Sequence, residues 1–309
     1  MTTGTDPTPT AGPILEITAS RSAQVGRFDV RRALPRRGRR TVGAWCFVDH
    51  FGPVDDPEGL GLEVAPHPHI GLQTVTWLLA GEGVHRDSLG TEQVIRPGQL
   101  NLMSAGRGVA HAEEGTGRPG GALHGVQLWV AQPAATRDGP AAFEHHRDPP
   151  QVELGGGSEA TVLVGAFAGT ASPARRDTDH VGVDLELRAP TTTVPLDATA
   201  EYALVVTRGS VLVEGHTVVP GSLAYLGSGR SELPVRTLEP AHTLLIGGAP
   251  FEAPILMWWN FVARAREEIA GAYDDWSRGT DRFGPVVSPL ARVEVDPPAW
   301  TGHVDNGGP

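Results

Sequence analysis

The residues able to do chemistry in this chain are concentrated between Pro66 and Glu113. The stretch opens with His67-Pro68-His69 and closes with His111-Ala112-Glu113. Each pair has i, i+2 spacing, which in a β-strand sends both side chains to one face. Two such strands placed side by side would gather three imidazoles and a carboxylate around one point. That is a ligand set for a divalent transition metal such as iron. Four protein ligands leave two neighbouring positions open in an octahedral field, which suits binding or catalysis rather than a closed structural site. The set contains no thiolate, which argues against structural zinc. One ion per chain is expected, Fe(II) first, with Mn, Ni, Cu and Zn as alternatives because availability often decides identity. Glu113 has a second use: a carboxylate at a metal can accept the proton of a bound hydroxyl.

The neighbours are weighed against plain structural roles. Trp45, Phe47, Trp77, Met103 and Trp129 could wall an apolar pocket or simply fill a barrel core. Gln73 follows His69 by four residues and could reach the site. His85 with Arg86-Asp87 reads as a turn with a charge pair, His124 as a core histidine, and Glu114 as a solvated charge on the opposite strand face. Gly106-Arg107-Gly108 supplies a tight bend just before His111. Cys46 reads as buried and inert.

The elements that must position these groups are strands. Short apolar segments recur between turn signals: TVGAWCFVDHFGPV, LQTVTWLLA, GVHRDS, EQVIRPG, LNLMSAG and LHGVQLWVA. Such spacing predicts barrels or sandwiches, and 40 Gly and 27 Pro supply the turns. A Pro-rich break at Asp148-Pro149-Pro150 marks a domain boundary. Beyond it the texture repeats, with Pro97-Gly98 answered by Pro220-Gly221, a weak duplication at a period of roughly 125 residues. The second copy lacks His-x-His; Pro195, Leu196 and Asp197 stand near the matching place and are poor ligands. The expected organisation is a disordered tail over 1–13, a metal-binding barrel over 14–148, a second barrel over 149–285 and a C-terminal tail over 286–309. The one strongly helical stretch, about 263–276, carries an apolar stripe of Ile269, Ala272, Tyr273 and Trp276.

Composition bounds the function classes. A net charge of −11 argues against an overall electrostatic footprint for nucleic acid. The basic cluster RRALPRRGRR (Arg31 to Arg40) reads mainly as a solvated strand end and loop. The single cysteine excludes an internal disulfide and suits a reducing cytoplasm. The first 13 residues lack the basic and apolar regions of a signal peptide, and no run approaches the roughly 20 apolar residues of a membrane helix. The expected location is cytoplasmic, with no membrane association.

The segments FDVRRALPRRGRRTVGAWCFVDHFGP, HPHIGLQTVTWLLAGEGVHRDSLG, MSAGRGVAHAEE and LHGVQLWV resemble the pirin family of the cupin superfamily. The likeness covers most of residues 14–145 and is weaker over about 150–285. It implies an all-β fold of two tandem cupin (jelly-roll-like) barrels with a short C-terminal helix. It also implies a metal site in the N-terminal barrel, at His67, His69, His111 and Glu113. Cupins in general carry a ligand glutamate shortly after His-x-His; Gln73 stands there in this chain.

Family members include quercetin 2,3-dioxygenase-like enzymes and redox-responsive iron proteins, so the resemblance implies fold and site more narrowly than function. In the enzyme reading, a flavonol such as quercetin and O2 are the substrates, and Glu113 takes the 3-hydroxyl proton before the ring opens with loss of carbon monoxide. In the alternative, iron cycles between oxidation states and a surface such as Arg31–Arg40 binds a partner protein. A metal-free binding barrel is the third reading. Cavity shape over the metal separates the first two.

Overall fold

The computed structural model describes residues 13–301. The expected disordered tail lies outside the described residues except for Pro13, which instead opens a strand, Pro13–Ala19. The last eight positions of the expected C-terminal tail also lie outside them. Among the described residues the fold is two β-barrels and one helix of more than a turn.

The barrel that carries the histidines is built from residues 23–30, 51–147 and 252–301. Its four-stranded sheet has the order Val64–His69, Val109–Glu114, Gly83–Asp87, Glu92–Ile95. Val64–His69 is an edge strand, which is where Pro66 and Pro68 are tolerated, because an edge need not donate every N–H. The opposing strands Ala142–His146, Leu100–Ser104, Leu72–Ala80 and Ala122–Ala131 pair in that order. Leu72–Ala80 is buried over its first seven residues, as its near-continuous apolar run suggests.

The other barrel is built from residues 13–22, 31–50 and 148–251. A seven-stranded antiparallel sheet runs Pro13–Ala19, Ser222–Gly227, Glu201–Arg208, Ala241–Gly248, His180–Leu187, Ser158–Val164, Gln151–Gly155. Its four-stranded sheet runs Thr191–Pro195, Glu232–Thr237, Val211–Val213, His216–Val218. This is the same first-fourth-second-third order as in the histidine barrel, so the duplication read from the turns is real at the level of topology. Alternation is strict in Glu232–Thr237, where Leu233, Val235 and Thr237 are buried and their neighbours exposed.

The compact units are not consecutive halves. Residues 31–50 group with 148–251, and 252–301, helix included, group with 51–147. Side-chain chemistry accounts for both departures from the expected division at 148. The Trp45 indole donates to the carbonyls of Val181 and Gly247, and Glu201 accepts from the Gly43 amide. In the histidine barrel, Val262 N donates to Ile70 O at 3.1 Å, and Phe261, Ile269, Ala272 and Trp276 bury against Ile70 and Ala110.

The helix spans Arg266–Arg278, three residues later at its start than the stripe suggested, because Phe261–Ala263 is a strand and Ala265 is extended. Gly279, at φ 64°, closes it in the left-handed conformation that glycine adopts without strain. Glu267 and Glu268 in its first turn and Arg278 in its last suit the helix dipole. Past the helix the chain lies along the histidine strands, Val293 N donating to Pro66 O at 2.8 Å. Among the described residues no helix is long and apolar enough to cross a membrane.

Candidate metal centre

Strand Val109–Glu114 sits between two partners. Against Val64–His69 it places His111 opposite His67 and Val109 opposite His69. Against Gly83–Asp87 it places His111 opposite Asp87 and Glu113 opposite His85. Period-2 side-chain direction therefore turns His67, His69, His85, Asp87, His111 and Glu113 to one face. His67, His69 and His111 are 7%, 1% and 1% exposed. Their ring centroids form a near-equilateral triangle with sides of 4.9, 4.4 and 4.9 Å. One donor atom from each lies within 4.8 Å of the others, a grouping that could hold a metal ion.

Hydrogen bonds to the rear of the rings show that the donor set fits a metal. His67 Nδ1 lies 2.8 Å from Ala65 O, and His69 Nδ1 lies 3.1 Å from Asn260 O. A carbonyl only accepts, so both Nδ1 atoms carry the proton and each Nε2 is left with a lone pair. His69 Nε2 and His111 Nε2 then face one another at 3.0 Å.

Electrostatics favour the same neutral state. Burial, opposed only in part by the Ala65 carbonyl, lowers His67 to about 4. Burial, reinforced by the neighbouring histidines, holds His69 and His111 well below the ordinary imidazole value. Neutral imidazole is the form a metal needs. Burial pushes the Glu113 carboxyl up.

Glu113 shares the face of His111 but not the tight triangle. The register slips between His111 and Glu113 on the side of Val64–His69, so Glu113 falls opposite Val64. Its Oε1 lies 3.1 Å from Thr76 Oγ1, whose single proton is shared between Glu113 and the Gln127 Oε1 at 2.9 Å. Glu113, Thr76, His85 and Asn101 line a cavity of about 20 Å³ whose other walls include Leu62 and Leu78.

Several residues fall in places other than those expected. His85, read as part of a turn, is buried behind His111, with its Nδ1 3.3 Å from His111 Nδ1. Asp87 pairs with His85 and not with Arg86, which points to the opposite face and reaches Glu92 and Glu114. Glu114 is not solvated: the tail covers that face, and Glu114 is buried between Arg86 and the Ser288 hydroxyl. Period-2 alternation in GVHRD, read against HAE, was the signal for His85; nothing local announced the cover over Glu114.

Of the proposed wall residues, Trp129 reaches the site, its ring edge-on to His69 at 5.2 Å. Met103 packs with Ala105, Val109 and Phe143. Trp77 is buried core. Trp45 and Phe47 belong to the other unit, where Phe47 lies under the Arg32 guanidinium. Gln73 is buried and donates to Ser104 Oγ at 2.8 Å, a tie between strands. His124 is buried, as a core histidine should be, and His50 is approached by Arg31 at 3.3 Å. Gly106, at φ 52°, makes the bend ahead of His111; a Cβ there would stand 2.1 Å from Gly139 O. Cys46 is buried and forms no disulfide.

In the second barrel the strand topologically equivalent to Val64–His69 is Thr191–Pro195, slightly earlier than the Pro195–Asp197 match read from sequence. Its inward positions are Thr192 and Val194, and those of the next strand are Leu233 and Val235. The interior is closed by apolar packing, and among the described residues the three histidines form the one such metal-capable group.

Residues 27–130 match the Pirin family and residues 182–284 match the pirin C-terminal cupin domain. A Pseudomonas aeruginosa protein with the provisional name quercetin 2,3-dioxygenase is 47% identical over 93% of this chain and 91% of its own. A pirin-like protein of Caulobacter vibrioides is 36% identical over 84% of this chain and 92% of its own. The crystal structure of a quercetin 2,3-dioxygenase from Acinetobacter baumannii superposes with a TM-score of 0.87 at 43% identity, covering 91% of this chain and 95% of that one. Likeness of this extent, over both barrels and the histidine strands alike, makes the chain a member of the pirin family.

Proposed function

We propose that the protein is a metal-dependent dioxygenase that opens the central ring of a flavonol such as quercetin. The convergence of three buried, neutral imidazoles carries this reading. His67, His69 and His111 would hold one divalent ion and Glu113 would complete the set. Fe(II) is the first choice of metal, with Mn, Ni, Cu and Zn as alternatives. The ion supplies Lewis acidity toward the flavonol oxygens and a route for O2 activation.

The remaining work falls to the chain. Glu113 accepts the 3-hydroxyl proton, and its burial, which favours the neutral carboxyl, lets it keep that proton. Thr76 fixes its Oε1. Leu62 and Leu78 line the space beside it, and Trp129 stands against His69; these exclude water from the acid–base step. Both atoms of O2 enter the product, a carboxylic ester, and one ring carbon leaves as carbon monoxide. The names of the Pseudomonas and Acinetobacter relatives support this substrate class. Cys46, buried and in no disulfide, is in keeping with a cytoplasmic site of action.

The test is aerobic incubation of iron-loaded protein with quercetin. The flavonol absorption band should decay with the wild-type protein and persist with His67→Ala. Equal decay rates would overturn the assignment.

One observation favours a second reading of the same centre. The cavity lined by Glu113 measures about 20 Å³, against roughly 300–1,000 Å³ for a drug-sized ligand site. With so little room beside Glu113, the centre could instead change iron oxidation state and alter a protein-binding surface. Within Arg31–Arg40, Arg32 and Arg39 are committed to Asp49 and Glu16, whereas Arg37 and Arg40 are exposed. Partner capture that differs between the Fe(II) and Fe(III) forms supports this reading; identical capture by Fe(II), Fe(III) and apo protein removes it.

A further inference from the structure

A carboxylate–imidazole–imidazole chain runs from the 87–91 loop to the metal centre. Asp87 Oδ1 accepts the backbone N–H groups of Leu89 at 2.9 Å and Thr91 at 3.0 Å. Asp87 Oδ2 lies 3.0 Å from His85 Nε2. His85 Nδ1 lies 3.3 Å from His111 Nδ1. Asp87 is 3% exposed and His85 4%, so no solvent substitutes for these partners.

The polarity of the chain follows from its fixed end. Burial alone would push the Asp87 carboxyl up, but the bonds from His85 and Thr91 outweigh it and hold it ionised. An ionised carboxylate only accepts, so His85 Nε2 carries a proton. With its one ring proton committed to Nε2, His85 presents the lone pair of Nδ1 toward His111. His111 must answer with Nδ1–H, which leaves its Nε2 lone pair directed at His67 and His69. The His85 ring is stacked on Phe143 at 4.4 Å and 21°, which restrains it from turning away.

The other two histidines are set differently. His67 and His69 are each fixed by a backbone carbonyl, which no side-chain substitution removes. The setting of His111 depends on two side chains. We propose that His85 and Asp87 are positioning residues that hold His111 in the tautomer whose Nε2 can bind a metal. The proposal rests on the reading of the three imidazoles as metal ligands.

Three variants of the full chain test it by calorimetric titration of apo protein with Co(II). His85→Phe keeps a ring against Phe143 but removes the acceptor for His111. It should weaken Co(II) binding about 10- to 100-fold, the usual effect of losing an outer partner of a ligand. His85→Gln restores an acceptor through its amide oxygen and should bind close to wild type, although it loses the stack. Asp87→Asn can keep both backbone bonds through its oxygen while turning an NH2 toward His85. That reverses the chain, puts a proton on His85 Nδ1, and should weaken binding as much as His85→Phe. Thermal unfolding of the apo forms reports on folding separately, and His85→Phe and His85→Gln decide the matter if Asp87→Asn does not fold. Phe and Gln variants equally weakened, or a Phe variant as tight as wild type, would overturn the positioning role alone. Wild-type protein that binds no Co(II) would overturn both this role and the metal reading beneath it.

Discussion

His69 Nε2 lies 3.0 Å from His111 Nε2, and the surrounding bonds leave no proton to place between them. The His69 proton is on Nδ1, given to Asn260 O. The Asp87–His85 chain sets the His111 proton on Nδ1 as well. Two lone pairs so directed repel in the absence of a cation and become two bonds in its presence. Two nitrogens about 2.1 Å from a common ion and at a right angle to one another stand about 3.0 Å apart. The spacing suits the divalent-ion site proposed above.

Metal binding should therefore stabilise the folded state. At free metal 100 times its dissociation constant the gain is about 2.7 kcal/mol. Denaturant unfolding with and without Co(II) should show that difference in wild-type protein and almost none in His69→Ala or His111→Ala. An equal gain in the variants would place the metal elsewhere.

Glu113→Gln separates binding from proton transfer. The three imidazoles remain, so metal should still be retained. Loss of the proton acceptor should lower flavonol turnover about 10²- to 10⁴-fold. Turnover within a factor of two of wild type would remove Glu113 from the chemistry.

Gly106→Ala probes the bend that delivers His111. The left-handed conformation costs a non-glycine residue about 1–2 kcal/mol, and the added Cβ would meet Gly139 O at 2.1 Å. A loss of stability of at least that size is expected, together with weaker metal binding. Wild-type values for both would show that the bend is not constrained as described.

Acid sensitivity in the second barrel should trace to His180. Burial lowers it to about 4 from an ordinary 6.5, so the fold admits only its neutral form. A folded-state value below the unfolded one means stability that is complete above pH 6.5. It is lost as the pH falls toward 4, by about 3 kcal/mol in all. His180→Gln should flatten that part of the urea-unfolding profile relative to wild type; superimposable slopes between pH 6.5 and 4 would contradict the assignment.

How much of this was legible in the chain differs residue by residue. His67, His69 and His111 were readable because strand alternation converts i, i+2 spacing directly into a shared face, and Pro66 and Pro68 marked an edge. The barrels were readable from turn spacing. The sequence reads His85 as part of a turn because its importance comes from pairing with a strand more than twenty residues away, where Glu113 lies opposite it. Strand alternation assigns Glu114 to solvent because its cover comes from Ser288, in a Gly- and Pro-rich segment with no periodic pattern. The grouping of 31–50 with the second barrel rests on single long-range contacts such as Trp45 to Val181, which leave no local trace.

Metal analysis of the purified protein tests the account most directly. After loading with Fe(II) or Co(II), wild-type protein should hold one ion per chain, with three imidazole nitrogens in its X-ray absorption spectrum. His67→Ala, His69→Ala and His111→Ala should each hold little. Retention of a full equivalent by all three variants, or no metal in the wild type, would contradict the central claim.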